Sequence, residues 1–166
     1  DEYIFSAGQT IQTSTLVVKA DTAKRIRFKD GLAKGQDLDF VVRLHHAKAT
    51  FHMIEAPLSV WYDVTAVGRV SHTRNAEALR HWLQESRPLL TPAAYYGFRA
   101  NILSYEIAQD HPLEAVWDII LGILKGHVTF KRALHSAARA FIPRQAFRRL
   151  ANWHMAHRRN GEAEPC

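Results

Sequence analysis

Two carboxylates, Asp37 and Asp39, stand shortly after Gly35 at the expected start of a helix. The apolar residues that follow predict a helix over 37–48 with one inward side. Residues two apart on a helix differ in direction by about 200°, so the two carboxylates face opposite ways. Arg43, four residues after Asp39, is a natural ion-pair partner for it. Asp37 is then left to act as a general base on a hydroxyl, or the two acids serve only as a helix cap and a surface ion pair.

Histidine and aromatic residues near this motif form further candidate sites. Adjacent His45 and His46 point about 100° apart on a helix, which disfavours a shared metal ion. We expect structural or solvent-exposed roles for them and for His52, and His72 is only a weak metal candidate. Trp61 begins an aromatic–aromatic–acid triplet and could form the floor of a site for a sugar or base ring. The alternative is that it packs in a strand core.

The arrangement of predicted elements changes near residue 70. Before it, β-rich runs predict strands over 10–18, 50–55 and 58–64 around the helix at 37–48. A strand–helix–strand order predicts an α/β layer. After it, proline, glycine and apolar spacing predict helices to the end of the chain; they cover 77–86, 92–109, 112–125, 129–141 and 144–158. We therefore expect two domains, 1–70 and 71–166.

The second half is strongly basic. It contributes +5 of the net charge of +6, and no acid occurs between Ile119 and Gly161. In the helix at 129–141, cations and apolar residues occupy different sides, which suits an anionic membrane surface; a solvated face over a helical core is the alternative. Nucleic acid is not expected, because no helix-turn-helix, zinc-finger or RNP pattern is present. No apolar run reaches the roughly 18–20 residues that span a bilayer. The single cysteine excludes an internal disulfide and fits a reducing compartment.

Several of these segments together resemble the second half of a family 2 glycosyltransferase domain, from bacterial inverting sugar transferases with a GT-A fold. The resemblance lies in Ile11-Gln12-Thr13-Ser14-Thr15-Leu16, Ile26-Arg27-Phe28 and the run from Gly35 to Leu44. The family carries a Glu-Asp or Gln-Asp pair that opens a helix before an apolar stretch and Arg-Leu. Gln36-Asp37 matches this pair, and Pro57-Leu58 with Trp61 fits the next strand. The resemblance covers roughly residues 3–110.

The resemblance implies that Asp37 is the base that deprotonates an acceptor hydroxyl. Gln36, Trp61, Gln12 and Ser14 would lie near the substrates. The fold class would be α/β, the C-terminal half of a GT-A domain, followed by a mainly helical extension. The donor would be a nucleotide sugar and the acceptor a glycan or a lipid-linked glycan, at the cytoplasmic face of the membrane.

One feature of the family is missing from this sequence. The family holds Mg²⁺ or Mn²⁺ through an Asp-x-Asp motif in its other half, whereas Asp37-Leu38-Asp39 matches the base motif instead. We therefore expect a C-terminal portion without transferase activity of its own and without a metal site. The alternative function is a non-catalytic basic helical module that binds nucleic acid or a protein partner.

Overall fold

The computed structural model describes residues 1–9, 11–54, 56, 58–59, 74–143, 145–147, 149 and 153. Within them the chain forms α-helices in the following order: α1 (Glu2–Phe5), α2 (Ala20–Ile26), α3 (Gln36–His46), α4 (Ala76–Glu85), α5 (Pro92–Phe98), α6 (Ser104–Ile107), α7 (Pro112–Lys125) and α8 (Phe130–Phe141). Short 3₁₀ turns occur at Thr13–Thr15 and Arg87–Leu89. A π-helical segment, Arg99–Leu103, joins α5 to α6, so that 92–107 is one continuous helix.

The expected α/β fold is wrong, because the described residues form helices and connecting segments with no strand among them. In the predicted strand at 10–18, the Thr15 backbone N–H and hydroxyl both donate to the Gln12 carbonyl, at 3.0 and 2.8 Å. This local bonding closes a turn and competes with strand pairing. Residues 51–54 belong to neither a helix nor a strand. Most of the strand predicted at 58–64, and the domain boundary near residue 70, lie outside the described residues.

The helices predicted at 77–86, 92–109, 112–125 and 129–141 are confirmed; the structure has α4, α5 continued into α6, α7 and α8 at these places. The side chains of Asn75, Thr91 and Thr129 accept hydrogen bonds from backbone N–H groups in the first turns of α4, α5 and α8. Such caps satisfy donors that have no partner inside the helix. The helix predicted at 144–158 lies mostly outside the described residues.

The core is built around three aromatic rings from distant parts of the chain. Phe5, Trp82 and Phe98 are fully buried. Their ring centroids lie 5.0–6.1 Å apart, a spacing at which aromatic pairs attract beyond their area burial. Val41 and Val42 of α3 belong to the same apolar cluster. The helix that carries Asp37 is therefore fixed to the helical core through its apolar side.

Two glycines allow the closest helix contacts. A Cβ on Gly97 would lie 2.8 Å from the backbone of Phe5, and one on Gly122 would lie 2.3 Å from the Cβ of Ala100. Any larger residue would push α1 away from α5, or α7 away from the π-helical segment. Close packing of these helices thus depends on glycine having no side chain at these two positions.

No helix within the described residues has the length and apolar composition needed to cross a bilayer.

Candidate functional site

The N-cap of helix α3 is Gly35, whose φ of 83° is left-handed and favours glycine. None of the described side chains caps this end of the helix. Asp37 and Asp39 instead lie inside the first turn, where the helix dipole favours negative charge. The carboxylate of Asp37 is thus not used as a cap of its own helix.

Asp37 is half-buried and faces the turn at Thr13–Thr15. Its Oδ2 accepts a hydrogen bond from the backbone N–H of Thr13 at 3.3 Å. Among the described residues, no donor bonds the other carboxylate oxygen, Oδ1. Gln12 and Ser14 flank Thr13 in the sequence, with Gln12 half-buried and Ser14 exposed.

Asp39 has a different, structural environment. It is buried, and its Oδ1 accepts from the indole N–H of Trp82 at 3.1 Å. Its Oδ2 accepts from Arg43 Nε at 2.8 Å and lies 2.7 Å from Arg43 Nη2. The predicted pairing of Asp39 with Arg43 is therefore confirmed. The Trp82 contact was missed by the sequence analysis, because the two residues are 43 positions apart.

Arg43 connects α3 to the end of α2. Its two terminal nitrogens donate to the backbone carbonyls of Ile26 and Arg27, at 2.6 and 2.7 Å. A guanidinium that bonds a carboxylate and two carbonyls at once fixes the relative positions of all three. Arg43 thereby joins the two chain segments on either side of the loop at 27–35.

Glu106 of α6 connects the loop before α3 to the helical core. This buried carboxylate contacts Lys34 Nζ at 2.5 Å with one oxygen. Its other oxygen accepts from the backbone N–H of Asn75 at 2.9 Å, directly before α4. Gln36 adds a local contact, since its amide donates to the Leu32 carbonyl at 2.6 Å. These contacts determine where α3 begins. They therefore also determine the position of Asp37 in its first turn.

A groove of about 220 Å³ lies next to this turn. It is lined by Thr13, Leu16, Val18, Ala23, Phe28 and Phe40. The rings of Phe28 and Phe40 stack with centroids 4.3 Å apart. Thr13 both lines the groove and donates to Asp37, so the groove and the carboxylate share a wall. The two phenylalanines were missed as site residues, although Phe40 lies three positions after Asp37 and thus on the same side of α3.

The remaining predicted residues are either exposed elsewhere on α3 or outside the described part of the chain. Trp61 and His72 lie outside the described residues. His45 and His46 are exposed at the end of α3. Within the described part of the chain, no three His, Cys, Asp or Glu side chains converge in a way that would hold a metal ion.

Comparison with known proteins gives a relative for this chain. It is 32% identical over 109 residues to the amylovoran biosynthesis glycosyltransferase AmsB of Erwinia amylovora, a match that covers 66% of this chain and 36% of the relative. The chain is related to a glycosyltransferase. It spans about a third of the length of that relative. No protein-family model matches the chain, and the search of solved structures gives no match.

Proposed function

We propose that this chain forms the acceptor-activating part of an inverting, family 2 sugar transferase, with Asp37 as the general base. The single observation that supports this most strongly is the environment of Asp37. Its neighbour Asp39 is fully engaged by Trp82 and Arg43. Within the described part of the chain, Asp37 accepts a hydrogen bond from one backbone N–H alone, beside a groove. The relationship to a glycosyltransferase favours the same reaction class.

The reaction would proceed in one displacement. The carboxylate of Asp37 takes the proton of an acceptor hydroxyl while that oxygen attacks the anomeric carbon of the donor sugar. The bond between the anomeric carbon and the nucleoside diphosphate breaks, and the diphosphate leaves with the electron pair. Attack from the opposite face inverts the configuration at the anomeric carbon. A base held by one rigid contact is oriented for this transfer before the substrate binds.

The groove beside Asp37 would hold the acceptor, a glycan or a lipid-linked glycan. Aromatic rings such as Phe28 pack well on the apolar C–H faces of sugars. Gln12 and Ser14, on the neighbouring turn, would supply polar contacts to its hydroxyl groups, and Gln36 would support the mouth of the groove. Trp61 stays a prediction from the sequence alone.

The described residues do not fit the divalent cation that such transferases use. Asp37-Leu38-Asp39 has the spelling of a metal-binding motif, but Asp39 is buried against Arg43 and Trp82, and the two carboxylates point apart. We propose that the nucleotide sugar and its Mg²⁺ or Mn²⁺ are held by other parts of the complete enzyme.

The test is Asp37→Asn in the complete enzyme, assayed with its nucleotide sugar and acceptor. The amide oxygen can still accept from the Thr13 N–H, so the fold is retained, but the side chain no longer takes a proton. We expect kcat to fall by about 10²–10⁴-fold, with the KM for the donor nearly unchanged because donor contacts are not altered.

The matched control is Asp21→Asn, which removes an exposed acid from α2. It should leave both constants within about twofold of the wild type, since surface changes away from a site have small effects. Equal turnover in Asp37→Asn and the wild type would refute the role of Asp37. It would also favour the alternative of a non-catalytic module.

A further inference from the structure

Helix α7 exposes an apolar side to solvent. Leu113 is 85% exposed, Trp117 54% and Leu124 69%. At spacings of four and seven residues they lie on one side of the helix, together with the exposed residues Val116, Ile120 and Ile123. The opposite side, with Ala115, Asp118, Ile119 and Gly122, packs into the protein. A surface helix normally turns polar residues outward, so this apolar side marks an interaction surface.

Helix α8 exposes apolar residues in the same way. Phe130 is 76% exposed and Leu134 62%. Its inward side is small and partly polar, because the Ser136 hydroxyl donates to Asn101 Oδ1 at 2.6 Å. Ala133, Ser136 and Ala140 form this buried side, and the large apolar residues of α8 are turned outward. We call the exposed residues Leu113, Trp117, Ile120, Leu124, Phe130 and Leu134 the α7–α8 apolar surface.

Basic residues lie next to this surface in the sequence, and both acids of α7 form ion pairs with arginines. Lys125 and Lys131 are exposed and stand next to Leu124 and Phe130 in the sequence. Glu114 pairs with Arg80 at 2.7 Å, and buried Asp118 pairs with Arg99. Since no acid follows until beyond Gly161, the end of α7 and the whole of α8 combine exposed apolar side chains with positive charge alone.

We propose that the α7–α8 apolar surface lies on an anionic lipid bilayer. Trp117 and the leucines would insert at the level of the headgroups, while Lys125 and Lys131 contact lipid phosphates. The binding partner must provide an apolar layer for the exposed side chains and negative charge for the lysines. The surface of an anionic bilayer provides both. The proposal is independent of the catalytic role of Asp37.

Two other occupants fit the surface less well. A second copy packed through the same face would bury the lysines of both copies in one interface with no acids to neutralise them, because a two-fold interface uses the same patch on both copies. A nucleic acid would satisfy the lysines but would leave Leu113 and Trp117 in water. The pairing of charge and apolar area therefore favours lipid.

The experiment is co-sedimentation of the 166-residue chain with vesicles of phosphatidylcholine, with and without phosphatidylglycerol. We expect binding that rises with the anionic fraction and weakens with added salt, since screened charges attract less. Trp117→Gln combined with Leu124→Gln should weaken partitioning at least about tenfold, because two apolar anchors are lost. Val17→Gln is the matched control, as Val17 is a fully exposed apolar residue elsewhere on the chain.

A second variant tests the charge. Lys125→Glu with Lys131→Glu keeps the apolar residues and should remove the preference for phosphatidylglycerol. The proposal fails if the wild type does not bind anionic vesicles, or if either double variant binds as the wild type does. It also fails if sedimentation velocity shows a dimer that Trp117→Gln dissociates while no vesicle binding occurs, since the surface would then pair two copies. Circular dichroism of each variant verifies that the fold is retained.

Discussion

The indole N–H of Trp82 donates to Asp39 Oδ1 over 3.1 Å and joins α4 to the first turn of α3. Trp82 is fully buried between Phe5 and Phe98. The acidic motif is therefore tied directly to the centre of the core. Because Asp37 lies two residues before Asp39 on the same helix turn, the position of the proposed base depends on this buried contact.

Replacing Trp82 with Phe tests how much this contact stabilises the fold. The change removes a donor to a buried carboxylate oxygen and leaves a void beside Phe98. We expect the free energy of unfolding to fall by about 2–4 kcal/mol, measured by urea denaturation. Trp117→Phe, at an exposed tryptophan, is the matched control and should have a small effect. Similar losses in the two variants would show that the Asp39 contact contributes little.

Arg43→Met tests the connection between α2 and α3. Methionine keeps an unbranched apolar stem but removes the bonds to Asp39 and to the carbonyls of Ile26 and Arg27. Since Asp39 would remain buried without its ion-pair partner, we expect a loss of about 1–3 kcal/mol, less than for a fully buried pair because Arg43 is partly exposed. Lys29→Met, which breaks the exposed pair of Lys29 with Glu85, should leave the urea midpoint nearly unchanged. A midpoint for Arg43→Met no lower than that of the control would contradict the prediction.

Local signals in the sequence predicted the parts of the structure that local physics determines. The helices α4, α5, α7 and α8 were predicted from proline, glycine and apolar spacing, and the Asp39–Arg43 pair from its four-residue spacing. The expected strand at 10–18 failed for a reason that is also local. Its Thr, Ile and Val residues have high strand propensity, yet Thr15 bonds the Gln12 carbonyl and closes a turn.

These local signals could not predict contacts between residues that are far apart in the sequence. Nothing in the spacing connects Asp39 to Trp82, or Lys34 to Glu106, which is 72 residues away. The groove beside Asp37 likewise needs Phe28 to meet Phe40 across the loop. Apart from Glu114, Asp118 and Lys125, the sequence of α7 is apolar, a composition that usually indicates burial, whereas the structure exposes one apolar side. Only tertiary packing determines which apolar side of such a helix remains uncovered.

Gly122→Ala tests the close contact of α7 with the π-helical segment. The added Cβ would lie 2.3 Å from the Cβ of Ala100, so the helices must separate. We expect a loss of about 1–3 kcal/mol in unfolding free energy. Ala100→Gly in the same chain removes the opposing Cβ, and the double variant should be less destabilised than the sum of the two single changes. If the two single changes were strictly additive, the contact between the two Cβ atoms would not be the cause of the lost stability.

Asp118 provides a prediction about pH. Burial raises the pKa of Asp118 above its ordinary value of 3.8, although its hydrogen bond with Arg99 opposes this shift. The folded state then holds the proton more tightly than the unfolded state, so the contribution of Asp118 to stability is fully present below pH 3.8 and is lost as the pH rises through the folded pKa. Asn does not titrate, so the unfolding free energy of the wild type minus that of Asp118→Asn should decline as the pH rises above 3.8. Urea denaturation of both proteins across acidic to neutral pH measures this difference, with Asp110→Asn, at an exposed position, as the matched control. A difference that stays constant or increases with pH would contradict the raised pKa.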